Sequence, residues 1–136
     1  MIDIIIADDH PRVREAWRFI LDMQNGMAVV ALCGSGQEVL DRCHKSLPDL
    51  VLMDINMSPL SGFETTRLLL KNFPTLKIIG ISIHAEPSYA QQMLRIGGKG
   101  FITKSSSAEE MVAGISEAMA GNTYICREVR SRMHPE

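Results

Sequence analysis

The sequence predicts an α/β domain with five parallel strands in the order 2-1-3-4-5 and helices on both faces. Three observations carry this. Short apolar runs bounded by breakers alternate five times with segments of helical periodicity. One run, Val51-Leu52-Met53, is apolar without alternation, as in a strand covered on both faces. Right-handed crossovers leave few topologies, and 2-1-3-4-5 is a common one for five βα units of this size.

The chain has 136 residues, 46% apolar and 22% charged, which fits one globular domain. Its net charge of −2 provides no basic field that would draw nucleic acid or an anionic membrane. No apolar run approaches the roughly 18 residues of a membrane helix. Met1-Ile2-Asp3-Ile4 lacks the basic start of a signal peptide. The three cysteines, Cys33, Cys43 and Cys126, lack metal-ligand spacing. They read as reduced thiols of a cytoplasmic protein, two of them buried.

The first strand is expected over Ile2 to Ala7, broken by Asp8-Asp9-His10-Pro11. Proline suits the first helical position, where its missing N–H costs nothing. Val13, Trp17, Ile20 and Leu21 mark the apolar face of the first helix, and Asn25-Gly26 ends it. Met27 to Leu32 is the second strand. Gly34-Ser35-Gly36 turns into a helix with Val39, Leu40 and Cys43 on one face. The third strand ends in Asp54, and Ser58 to Gly62 is a loop. The third helix runs from about Phe63 to Phe73 and stops before Pro74. Leu76 to Ser82 is the fourth strand, and Pro87 to Ile96 the fourth helix, closed by Gly97-Gly98. Gly100 to Thr103 is the fifth strand, with Lys104 after it. Ser107-Ala108-Glu109-Glu110 is a capping box that opens the fifth helix. Gly121-Asn122 ends that helix, and the tail from Thr123 to Glu136 carries Arg127, Arg130 and Arg132 without a strong pattern.

In this topology the first and third strands lie side by side, so Asp8, Asp9 and Asp54 converge at the carboxyl edge of the sheet. Ser82 and Lys104 reach the same edge from the fourth and fifth strands. Two carboxylates about 4 Å apart repel by on the order of 4 kcal/mol at an effective dielectric near 20. Such a cluster makes sense around a hard divalent cation such as Mg2+. A carboxylate beside Mg2+ can attack phosphorus while a lysine and a serine hydroxyl engage the phosphoryl oxygens. These are the parts of an aspartyl-phosphate site.

These motifs resemble the receiver domain of two-component response regulators. Ile6-Ala7-Asp8-Asp9-His10-Pro11 with Val13-Arg14-Glu15 is similar to the opening of NarL/LuxR-type receivers. Pro48 to Met57, followed by Gly62, resembles the phosphoacceptor segment, and Gly97 to Lys104 the segment ending in the family lysine. The resemblance covers about residues 2 to 121 and implies a flavodoxin-like, CheY-like fold. It implies a receiver over 1–121 and a linker or tail over 122–136, toward an output domain absent from this chain.

By the same resemblance, Asp54 accepts a phosphoryl group from a sensor histidine kinase. Asp9 and Asp54 bind Mg2+ directly with the backbone carbonyl of Asn56, and Asp8 acts through water. Lys104 pairs with the phosphoryl group, while Ser82 and Phe101 hold the switch positions. Ser82 moving toward the phosphoryl group opens space for Phe101 to turn. The face from the fourth to the fifth helix then rearranges, or pairs with a second copy, as a two-state element biased by a local charge. DNA is reached only through the output domain, and no membrane is involved. One departure is Ser58 where the family carries proline, with Pro59 one place later.

Other readings are weaker. Gly34-x-Gly36 is a tight turn, since Val39 stands where a dinucleotide fingerprint needs glycine. His10 and His84 are lone histidines, not expected to ligate metal. A dehalogenase-type hydrolase would need a second aspartate two residues after Asp54, where Asn56 stands. The alternative function is a pseudo-receiver, a docking module with no phosphate cycle. Apart from its own phosphorylation and dephosphorylation, the domain is not expected to be an enzyme.

Overall fold

The computed structural model describes residues 1–133. Strands β1 (Ile2–Ala7), β2 (Met27–Cys33), β3 (Leu50–Asp54), β4 (Lys77–Ser82) and β5 (Gly100–Thr103) form at the predicted apolar runs. Helices α1 (Pro11–Asp22), α2 (Gly36–Lys45), α3 (Gly62–Asn72), α4 (Pro87–Arg95) and α5 (Ala108–Met119) alternate with them. All five residues of β3 are buried, as its unbroken apolar run requires.

Period-two alternation divides the core between the two faces of the sheet. Ile4, Ile6, Leu50 and Leu52 pack with Trp17 and Leu21 of α1 and Met111 and Ile115 of α5. Ile5, Ala7, Val51 and Met53 pack with Val39 and Cys43 of α2 and Leu69 of α3. Serine caps open three helices: Ser35, Ser61 and Ser107 accept from the amides of Glu38, Glu64 and Glu110. Gly97, at φ +105°, provides the left-handed turn that leaves α4.

The sheet has six strands rather than five, in the order β2-β1-β3-β4-β5-β6, where β6 is Tyr124–Ile125. Every neighbouring pair is parallel. The amides of Tyr124 and Cys126 donate to the carbonyls of Lys99 and Phe101 at 2.9 and 3.0 Å. A bare sheet edge offers such carbonyls to any nearby segment, so this pairing needs no apolar pattern. A short helix, α6 (Arg127–Met133), follows and buries Val129. Residues 134–136 of the expected tail lie outside the described residues. All three cysteines are free and buried, not two. Burial pushes the Cys33 and Cys43 thiols up to about 11, so both stay protonated.

Candidate functional site

The site is built by register. Ala7 of β1 lies opposite Met53 of β3, so the next residues, Asp8 and Asp54, leave adjacent strands together. Asp54 lies opposite Ile81, one residue before Ser82, and Ser82 lies opposite Thr103, one residue before Lys104. One sheet edge thus receives a functional residue from four neighbouring strands. Gly62 lets α3 start against this edge, because a side chain there would collide with the backbone carbonyl of Asp54.

Asp8 and Asp54 are both fully buried. The Lys104 ammonium lies between them, 2.8 Å from Asp8 Oδ2 and 3.2 Å from Asp54 Oδ2. At Asp8 Oδ2 the contact is ionic: no directed hydrogen bond satisfies that buried oxygen. Asp54 Oδ1 accepts the Asn56 amide at 3.0 Å, and Asp8 Oδ1 accepts the His10 amide at 2.8 Å. Ser82 Oγ accepts the His84 amide at 2.9 Å, which leaves its own proton to donate elsewhere.

These surroundings push the two carboxyls apart. Burial raises Asp8, but the Lys104 ammonium and the His10 amide outweigh it and hold the group below the usual carboxylate value. Burial also raises Asp54, and the Asn56 amide and Lys104 offset too little, because the Asp8 charge adds to the rise. Asp54 therefore ends above the usual value. Burial lowers Lys104, yet its two carboxylate partners prevail and its pKa rises.

Ligand atoms of Asp8, Asp9, His10 and Asp54 all lie within 4.8 Å of one another. Three carboxylates, one with an unsatisfied buried oxygen, fit a hard divalent cation. His10, set aside in the sequence reading, joins this cluster: its Nδ1 is 3.0 Å from Asp8 Oδ1 and 2.9 Å from Asp9 Oδ1. Arg14 was also missed. Its Nη1 donates to the Asp8 carbonyl at 2.6 Å and so fixes the β1–α1 turn. The signal available was its spacing, one helical turn after His10. The Ser58–Pro59 peptide in the neighbouring loop is cis. Phe101 is already fully buried, beside Gly80 and Met93, with Ile125 of β6 as its strand neighbour.

Residues 4–116 match the response regulator receiver domain family. The chain belongs to that family. Among relatives of this receiver is the response regulator GacA of Pseudomonas viridiflava, 33% identical over 133 residues, covering 98% of this chain and 62% of GacA. Another is the transcriptional regulatory protein DegU of Brevibacillus brevis, 34% identical over 135 residues, covering 99% of this chain and 57% of DegU. The receiver thus spans about 60% of the length of the relatives it matches. A two-component response regulator of the LuxR family from Aurantimonas sp. superposes with a TM-score of 0.92 at 28% identity, covering 98% of this chain and 99% of that one. The NarL/LuxR type read from the motifs agrees with these relatives. Among the described residues of the receiver, no helix is long and apolar enough to cross a membrane.

Proposed function

We propose that Asp54 accepts a phosphoryl group from a phosphohistidine of a sensor histidine kinase. The observation that carries this reading is the single Lys104 ammonium shared by two buried carboxylates, one of them raised in pKa. An Asp54 oxygen forms the new P–O bond as the P–N bond breaks. The bonding pair stays on the imidazole nitrogen, which takes a proton from water. Lys104 and the Ser82 hydroxyl then engage the phosphoryl oxygens.

Asp9 and Asp54 would hold Mg2+ directly with the carbonyl of Asn56, and Asp8 would act through water. Bound there, the cation neutralises phosphoryl charge and orients the transferred group. His10 contributes its amide and ring nitrogen to the Asp8 and Asp9 carboxylates, which orients them. The only chemistry assigned to the domain is its own phosphorylation and dephosphorylation.

In this reading residues 1–121 are the receiver of a cytoplasmic transcription regulator, and 122–136 lead toward a DNA-binding output domain. Phosphorylation would turn the Ser82 and Phe101 positions and favour pairing with a second copy. The test is acetyl phosphate with millimolar Mg2+, read by intact mass. One phosphoryl group should be gained, and Asp54→Asn or omission of Mg2+ should abolish the gain. Stoichiometric labelling of Asp54→Asn would sink the assignment, and an unlabelled wild type would leave a docking module.

A further inference from the structure

The face between α4 and α5, where a receiver is expected to signal, is covered here by the chain's own C-terminal segment. β6 pairs with β5, and α6 packs against α4 and β5. Two glutamates hold the segment, in different ways. Glu110 Oε2 accepts the Tyr124 hydroxyl at 2.9 Å and the Arg127 amide at 2.6 Å. Glu128 Oε1 accepts from Thr103 Oγ1 at 3.2 Å and Ser105 Oγ at 3.4 Å.

The second pair is long for hydroxyl donors, whose usual distance is about 2.7–2.8 Å. Its donors flank Lys104 in sequence, and Thr103 is the strand partner of Ser82. Ser82 and Lys104, the groups expected to engage the phosphoryl oxygens, therefore pull on the two residues that hold α6. Among the described residues, the Glu110 carboxylate bonds the C-terminal segment and no residue flanking Lys104. A cleft of about 520 Å³ beside the loop, lined by Ser106, Ser107 and Ser131 among others, gives it room to shift.

We infer that Glu128 is a latch and Glu110 a pivot: phosphorylation of Asp54 draws the Thr103–Ser105 backbone from Glu128 and frees α6, while β6 stays paired. This rests on the reading of Asp54 given above. Thr103 and Ser105 act as positioning residues. α6 is the element whose freedom reports the state of the site.

The test is amide hydrogen exchange on the full chain, with Mg2+ and with or without beryllofluoride, while fluorine NMR reports bound mimic. With mimic bound, amides of 130–133 should exchange on the order of tenfold faster, and that of Cys126 should not change. Glu128→Ala should show the fast exchange without mimic and no further increase with it. By reciprocity of coupling, it should also bind the mimic several-fold more tightly. A purely structural glutamate would leave that affinity unchanged. Bound mimic with unaltered or slowed α6 exchange, or unaltered affinity in Glu128→Ala, overturns the latch. Absence of any bound fluoride signal in wild type overturns the reading of Asp54 itself, and the latch with it.

Discussion

Two carboxylate clusters lie on either side of the β5–α5 loop, and they are satisfied differently. At the sheet edge, Asp8 and Asp54 are buried against one ammonium, that of Lys104, so charge is left over. At the C-terminal segment, Glu110 and Glu128 accept hydrogen bonds from hydroxyls and a backbone amide. Neutral donors satisfy the Glu110 carboxylate without a competing charge, which makes it a fastening, while Glu128 also faces the Arg132 guanidinium at 3.8 Å. A buried cluster short of cations stores repulsion that an incoming cation relieves. The contrast extends to the groups nearby. The acidic edge splits the pKa values of two aspartates in opposite directions. The fastening raises Tyr124, through burial first and its hydrogen bond to Glu110 second.

The largest test of this contrast removes the shared cation. Lys104→Ala leaves two buried carboxylates facing each other, and breaking a buried ion pair costs about 3–5 kcal/mol. Its melting temperature without metal should fall accordingly, and millimolar Mg2+ should recover more stability than in wild type. A loss below about 1 kcal/mol would mean that the acids are neutralised by something other than Lys104. Next in size is Glu110→Ala, which leaves the Tyr124 hydroxyl and Arg127 amide without their acceptor. Urea unfolding should show a loss of about 2 kcal/mol at an unchanged m-value, with no dependence on Mg2+. A metal-dependent loss would mean that the two clusters are one.

Asp54→Asn should have the opposite sign. The folded-state pKa of Asp54 is raised, so its contribution to stability is present below the unfolded value and lost as pH rises through the folded one. The ionised group therefore opposes folding near neutrality. The amide variant should be more stable by on the order of 1 kcal/mol at about pH 7, the gain vanishing toward the ordinary carboxylate value of 3.8. Asp8 runs the other way: its contribution is present above the ordinary value and lost as pH falls through its lowered folded value. Both proteins share that acid loss, so the difference between their stability–pH curves isolates Asp54. A variant less stable than wild type near neutrality would refute the stored repulsion. The smallest effect serves as a control. Ser107 caps α5 between the two clusters, and Ser107→Ala should cost at most about 1 kcal/mol, independent of Mg2+ and of pH near neutrality.

Much of the acidic edge was legible because its determinants are local. Apolar runs end in breakers at Ala7, Asp54, Ser82 and Thr103, and a parallel sheet brings every strand's carboxyl end to one edge. Once the strand order was known, Asp8, Asp9, Asp54, Ser82 and Lys104 had to reach one edge. His10 was not legible as part of the cluster, since the ring's direction depends on how the β1–α1 turn is pinned by Arg14.

The sequence by itself determined the five βα units and the residues that end each strand, because periodicity and turn chemistry act over a few residues, while the strand order followed from crossover rules and common topology. Only the tertiary structure decided the sixth strand, the covered face and the opposite fates of Asp8 and Asp54. A two-residue strand has no period to read, and α6 buries only Val129. Glu128 meets Thr103 across 25 positions, and Lys104 meets Asp54 across 50. Partners at such separations leave no local signature, and the sign of a pKa shift depends on which of them arrives closer.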